Sequence, residues 1–197
     1  MRTLFLIPFL LVNSVFASQQ IVYLDPSLLT LDAGASFNLT VMYDVSDSDQ
    51  TLSGIGISIH YDSSKLDFSY SDIKYIFENN LAGNPLIKDE DVDRSDEDES
   101  TDKVIVFVWA DPFSNQWPSR SLPLRLLALQ FTIKKKCTSN ISTYINVTDT
   151  TLSAGYDFQS TNTSVNILNI KGDINFDGYS NIKDVLQLLE YLITHHY

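Results

Sequence analysis

Apolar and polar positions alternate along most of this chain. Phe37, Leu39, Val41 and Tyr43 recur with a period of two, as do Ile55, Ile57, Ile59 and Tyr61. Each run predicts a strand with one face in a core, because successive side chains of a strand point to opposite faces. Ile21 and Tyr23 begin the series, and Leu28, Leu29 and Leu31 follow the Asp25-Pro26 interruption. Turns are predicted at Asp32-Ala33-Gly34 and at Asp62-Ser63-Ser64, the second leading into Leu66, Phe68 and Tyr70. Val104 to Trp109 is a continuous apolar run of strand length. Leu122 to Ile133 carries apolar residues on both parities and predicts a strand, with a helix as the competing assignment. Ile141, Thr143, Ile145 and Val147 alternate again, and Val165, Ile167 and Ile170 close the series. Many short strands separated by turns, with no helix between them, predict an all-β sandwich over residues 18–170.

The period changes only after Gly178. Ile182, Val185, Leu186, Leu189, Leu192 and Ile193 fall on one face of a helix. At the other end, Arg2 precedes an apolar run from Leu4 to Val12, and Val15 and Ala17 supply small side chains before a cleavage point. Residues 1–17 therefore predict a signal peptide and a secreted mature chain. The apolar run is too short for the ~20 residues that span a bilayer.

Charge narrows the partners. The formal net charge of the 197 residues is −12, which disfavours nucleic acid and anionic lipid and suits cations. Lys88 to Lys103 holds nine acidic residues against three basic ones, half of the net charge, and predicts a self-repelling mobile loop. No spacing within it matches a defined metal loop, so a solvated segment is expected there rather than a second calcium site. Cys137 is the single cysteine, which precludes an intrachain disulfide. It follows Lys134, Lys135 and Lys136 and reads as a small side chain at a strand end.

The most specific pattern is Asp173 to Asp184. Asp173, Asn175, Asp177, Asn181 and Asp184 place oxygen-bearing side chains at positions 1, 3, 5, 9 and 12 of a twelve-residue loop, with Gly178 at 6. Such a loop wraps a hard cation in oxygen, and a flexible ring of protein oxygens suits calcium better than magnesium. Tyr179 would offer its carbonyl and Asn181 would act through a water.

Residues 172–192, "GDINFDGYSNIKDVLQLLEYL", closely resemble one repeat of a type I dockerin. That resemblance implies calcium binding and, at loop positions 10 and 11, contact of Ile182 and Lys183 with a cohesin partner. The segments "LDAGASFNLTVMY", "GIGISIHYDSSKLDF" and "LLALQFTIK" make residues 20–170 similar to a cohesin domain. This second resemblance implies a nine-stranded jelly roll, related to some carbohydrate-binding modules.

The remaining constellations do not assemble an enzyme. His60 lies within an alternating strand, His195 and His196 lie at the terminus, and no Gly-x-Ser-x-Gly, phosphate loop or zinc spacing occurs. Phe113 and Trp117 share a loop with Asp111, Asn115 and Gln116, which suits stacking on a sugar ring. Trp109, ending its apolar run, is expected in the core. Asn38, Asn140, Asn146 and Asn162 stand in glycosylation sequons. Two functions follow. The first is a non-catalytic calcium-binding module for protein–protein scaffolding in an extracellular polysaccharide-related system. The second is a direct carbohydrate-binding module working through residues 109–117.

Overall fold

In the computed structural model, residues 17–89, 95–135, 141–168, 172–175, 177 and 179–195 are described. Cys137, Asn140, Ile170, Gly178, His196 and most of the expected signal peptide lie outside them. The chain forms β1 (Ser18–Asp25), β2 (Leu28–Asp32), β3 (Ser36–Val45), β4 (Thr51–Leu52), β5 (Gly54–Tyr61), β6 (Leu66–Tyr75) and β7 (Leu86–Asp89). It continues through β8 (Lys103–Ala110), β9 (Trp117–Pro118), β10 (Leu124–Ile133), β11 (Ile141–Thr151), β12 (Tyr156–Thr161) and β13 (Thr163–Leu168) to α1 (Ile182–His195).

Two sheets stack face to face. One runs β12-β1-β3-β10-β6 and the other β2-β13-β11-β5-β8-β7, with β4 and β9 forming a short ladder. Most pairings are antiparallel, while β1–β12 and β2–β13 are parallel. The two main sheets thus hold eleven strands among the described residues, where the sequence resemblance implies nine.

Alternation explains the core. Val22 and Leu24 of β1, Phe37 to Val45 at odd positions of β3, and Ile55, Ile57 and Ile59 of β5 turn inward, almost all 0–3% exposed. Ile105, Phe107 and Trp109 of β8 meet them. Each fully buried aliphatic or aromatic side chain contributes about 1.5–3 kcal/mol. β10 is a strand and not the competing helix. Its register against β3 shifts between Arg125 and Leu127. That irregularity turns Leu126 and Leu127 inward together, which accounts for apolar residues on both parities.

A buried polar knot ties the N-terminal strand to the core. Gln20 Nε2 donates to the Tyr43 hydroxyl at 2.8 Å and to the Gly54 carbonyl at 3.0 Å, while Gln20 Oε1 accepts from Ser153 N at 2.7 Å. With its partners supplied, a wholly buried amide costs little. Burial drives the Tyr43 hydroxyl well above the ordinary tyrosine range.

Candidate metal loop and docking surfaces

The loop after β13 is built by its own side chains. Asp173 Oδ1 and Asn175 Oδ1 both accept from Asp177 N, at 3.1 and 3.0 Å. Asp177 Oδ1 accepts from Tyr179 N at 3.0 Å. Asp184 reaches back across the loop: its Oδ1 accepts from Ile174 N at 2.8 Å and from Asn175 N at 3.1 Å, and its Oδ2 from Asn181 N at 2.6 Å. These amides, Asn181 foremost, hold the Asp184 carboxyl below the usual carboxylate range. Asn181 Oδ1 in turn accepts from Lys183 N at 2.9 Å. Asn181 is therefore the N-cap of α1, and Asp184 closes a reciprocal capping box.

The donor set suits a hard cation. Asp173, Asn175, Asp177 and Asp184 supply side-chain oxygens, and Tyr179 a carbonyl. The Asp173 and Asn175 oxygens already converge on one amide. The gathering is partial, because Asn175 Nδ2 faces Asp177 Oδ2 at 3.2 Å and Asn181 Nδ2 faces the Tyr179 carbonyl at 3.3 Å. Among the described residues, no group of three or more His, Cys, Asp or Glu is drawn together closely enough to hold a metal.

Ile182 and Lys183 open α1 on its exposed side, with Ile182 68% exposed. Lys135 Nζ stands 4.3 Å from the Tyr179 ring centroid, a cation–π contact between the sandwich and the loop.

The aromatic-loop expectation is corrected. Trp117 is 1% exposed, with its ring centroid 4.6 Å from that of Tyr43 and 6.2 Å from that of Phe77. β9 pairs with β4 and pulls the indole inward, so it cannot stack on a ligand. Phe113 alone projects, at 99% exposure, from a turn that Asp111 organises by accepting from Gln116 N at 3.1 Å and from the Ser114 hydroxyl. Trp109 is a core residue as expected, donating from Nε1 to the Phe77 carbonyl at 3.1 Å.

The acidic block is also corrected in its described parts. Leu86–Asp89 is the edge strand β7, and residues 95–102 are turned over the β5–β11 face. Asn146 Nδ2 donates to Asp96 Oδ2 at 2.8 Å and to Asp98 Oδ2 at 3.3 Å, and Thr101 Oγ1 donates to Asp96 Oδ2 at 3.0 Å. Asn146 of β11 and Thr101 of the turn itself give these carboxylates donors that water would otherwise provide. His60 lies beneath, 1% exposed, with Nε2 2.8 Å from Thr148 Oγ1. No local pattern could signal this, since pairing of Asn146 with Asp96 spans fifty residues. Asn146 is buried, whereas Asn38 and Asn162 are exposed.

The cohesin-domain family model matches residues 27–176, and the chain belongs to that family. No curated protein matches it. Among solved structures, it resembles a chain of the Coh-OlpC-Doc435 complex, a type I cohesin–dockerin complex from Clostridium thermocellum. The identity is 14% and the TM-score 0.50, covering 79% of this chain and 96% of that one. A chain of the Coh-OlpA-Doc918 complex from the same organism matches at 13% identity and TM-score 0.50, covering 78% and 100%. At such identities the likeness shows the fold. No helix among the described residues is long and apolar enough to cross a membrane.

Proposed function

We propose that this protein is a secreted, non-catalytic docking module whose sandwich receives a dockerin-type segment of a partner protein. The observation that carries the reading is the family match over residues 27–176, laid on a sandwich with a continuous core. Two of the solved structures it resembles come from cohesin–dockerin complexes. The setting that fits is an extracellular polysaccharide-related assembly, reached through the leader at residues 1–17.

The C-terminal loop would hold calcium through Asp173, Asn175, Asp177 and Asp184, the Tyr179 carbonyl and a water on Asn181. The ion would neutralise the clustered carboxylates. The chain's own part is to prefold the loop and to start α1 at Asn181.

The experiment is a binding panel. Immobilised mature protein is offered purified dockerins and, separately, insoluble polysaccharides, each with calcium and with chelator. Retention of a dockerin supports the reading. Retention on a polysaccharide alone, lost in Phe113→Ala, overturns it in favour of direct sugar binding.

A further inference from the structure

The ten-residue β3 leads from the Gly34–Lys135 end of the sandwich, which touches Tyr179, to the other end. There the β3–β4 loop, the turn from Asp111 to Gln116 and the β11–β12 turn come together. They enclose a cavity of about 310 Å³, whose lining includes Asp49, Ser53, Asn115, Ser153 and Tyr156. That volume is at the lower end of the ~300–1,000 Å³ of small-molecule sites.

The floor of the cavity is fixed from below. Buried Ser153 donates from Oγ to the Gly54 carbonyl at 2.9 Å and accepts from Ser53 N at 3.2 Å. Its own amide donates to Gln20, which ties the floor to the core knot. The walls are preset as well. Asp49 Oδ1 accepts from the Thr51 hydroxyl at 2.6 Å and from Thr51 N at 2.8 Å, and these bonds hold its carboxyl below the usual range. The Tyr156 hydroxyl lies 3.0 Å from Asp47 Oδ2 and 3.1 Å from Asp49 Oδ2 and donates to them. Desolvation, then these carboxylates, push that hydroxyl well above the ordinary tyrosine range, so it keeps its proton and offers lone pairs. Asn115 adds an amide group that both donates and accepts.

This mixture selects a ligand. Acceptors beside an amide match a molecule dense in hydroxyl groups, each of which donates and accepts. Asp49 is ionised and the lining contains no Lys or Arg, so phosphates and carboxylates are repelled. A cation would meet one lining carboxylate that already accepts three hydrogen bonds. Phe113, two residues before Asn115 on the same turn and 99% exposed, offers a ring for the C–H face of a sugar. We propose that this cavity binds a neutral saccharide unit. The proposal goes beyond the docking reading and does not rest on it.

Amide NMR titration of the mature protein with soluble glucose, xylose and mannose tetrasaccharides tests it, with galacturonic acid and calcium as controls. At least one neutral sugar should give saturable shifts at Ser53, Asn115, Ser153 and Tyr156, and neither control should move them. Asn115→Gly keeps the left-handed backbone (φ 49°) and removes the amide. It and Tyr156→Phe should each weaken binding about tenfold, with unchanged circular dichroism. No shift with any neutral sugar at tens of millimolar overturns the proposal, as does an equal response of these residues to galacturonic acid or calcium. Binding undiminished in both variants also overturns it, even where Phe113→Ala abolishes binding, because the sugar then sits on the exposed ring alone. Dockerin capture by the wild type is scored alongside. Its failure with sugar binding intact removes only the docking reading, and its success without sugar binding removes only this site.

Discussion

Asn181 N donates to Asp184 Oδ2 at 2.6 Å while Asn181 Oδ1 accepts from Lys183 N at 2.9 Å, so these two residues cap the helix from both sides. Most of α1 is exposed, and its start depends on this cap. Replacing Asn181 by Ala should cost the helix about 1 kcal/mol. Hydrogen exchange should speed up at Lys183 and its neighbours and leave β5 and β8 unchanged. Uniform exchange rates across wild type and variant would show that the cap is dispensable.

Trp117 and Phe113 are four residues apart and should respond in opposite ways. Trp117 fills the core beside Tyr43 and Phe77. Its truncation to Ala should remove about 3–5 kcal/mol of stability in a urea titration. Phe113 is 99% exposed, and its truncation should fall within about 0.5 kcal/mol of wild type. Equal effects would place both rings in one environment, against the structure.

How far the sequence foretold this pair shows where pattern reading ends. Period two marked β3 and β5 correctly because each has one face in the core. A continuous apolar run, rather than alternation, marked β8 with Trp109. Neither pattern could place Trp117, because what buries that ring is pairing of β9 with β4, sixty-odd residues earlier. The same limit hid the Asn146–Asp96 bond and left residues 95–102 looking like bare charge. By contrast, the hydrogen bonds that link Asp173, Asn175, Asp177, Asn181 and Asp184 span at most ten residues, so their pattern is visible in the sequence. The exposed helix α1 was legible only as an apolar stripe, since periodicity says which face seeks cover but not what supplies it.

Asn146 tests whether the acidic turn is held to the sheet. Asn146→Ala leaves Asp96 with Thr101 and removes the shared donor of Asp96 and Asp98. A bond to a charged group contributes about 1.5–3 kcal/mol, and the low end applies because Asp96 is only partly covered. Limited proteolysis should then cut within residues 95–102 sooner than in wild type. Unaltered cleavage would mean that other contacts hold the turn.

The pH dependence has two limbs. Asp184 is lowered by backbone amides, and Asp49 by the Thr51 hydroxyl and amide. In Asp62 burial pushes upward, but bonding to Lys65 and Ser64 outweighs it. A depressed carboxylate stabilises the fold above its unfolded value of about 3.9, and that contribution is lost as pH falls further. Tyr61 is pushed up by burial to about 12. A raised tyrosine stabilises below about 10, and its contribution fades as pH rises toward the folded value. Stability should therefore be flat between these limbs, and unfolding at high pH should coincide with tyrosinate absorbance. A difference titration of wild type against Tyr61→Phe that places the Tyr61 tyrosinate at about pH 10 in the still-folded protein would contradict the burial of Tyr61.

Calcium should act on the tail before it acts on the sandwich. The loop gathers Asp173, Asn175, Asp177 and Asp184, while α1 lies largely exposed and shares little surface with the sheets. An ion that binds only the folded loop stabilises it by mass action, about 2.7 kcal/mol at a hundredfold excess over the dissociation constant. That stabilisation should appear as a calcium-dependent rise in the melting temperature of the helical signal, reversed by chelator. The main sandwich transition should move less, because α1 is largely exposed and the Lys135–Tyr179 contact is a single cation–π link between sandwich and loop. Asp177→Ala should abolish the calcium response and leave the sandwich transition in place. Calorimetry showing no heat of calcium binding to wild type, or an undiminished heat with Asp177→Ala, would remove the metal from this loop.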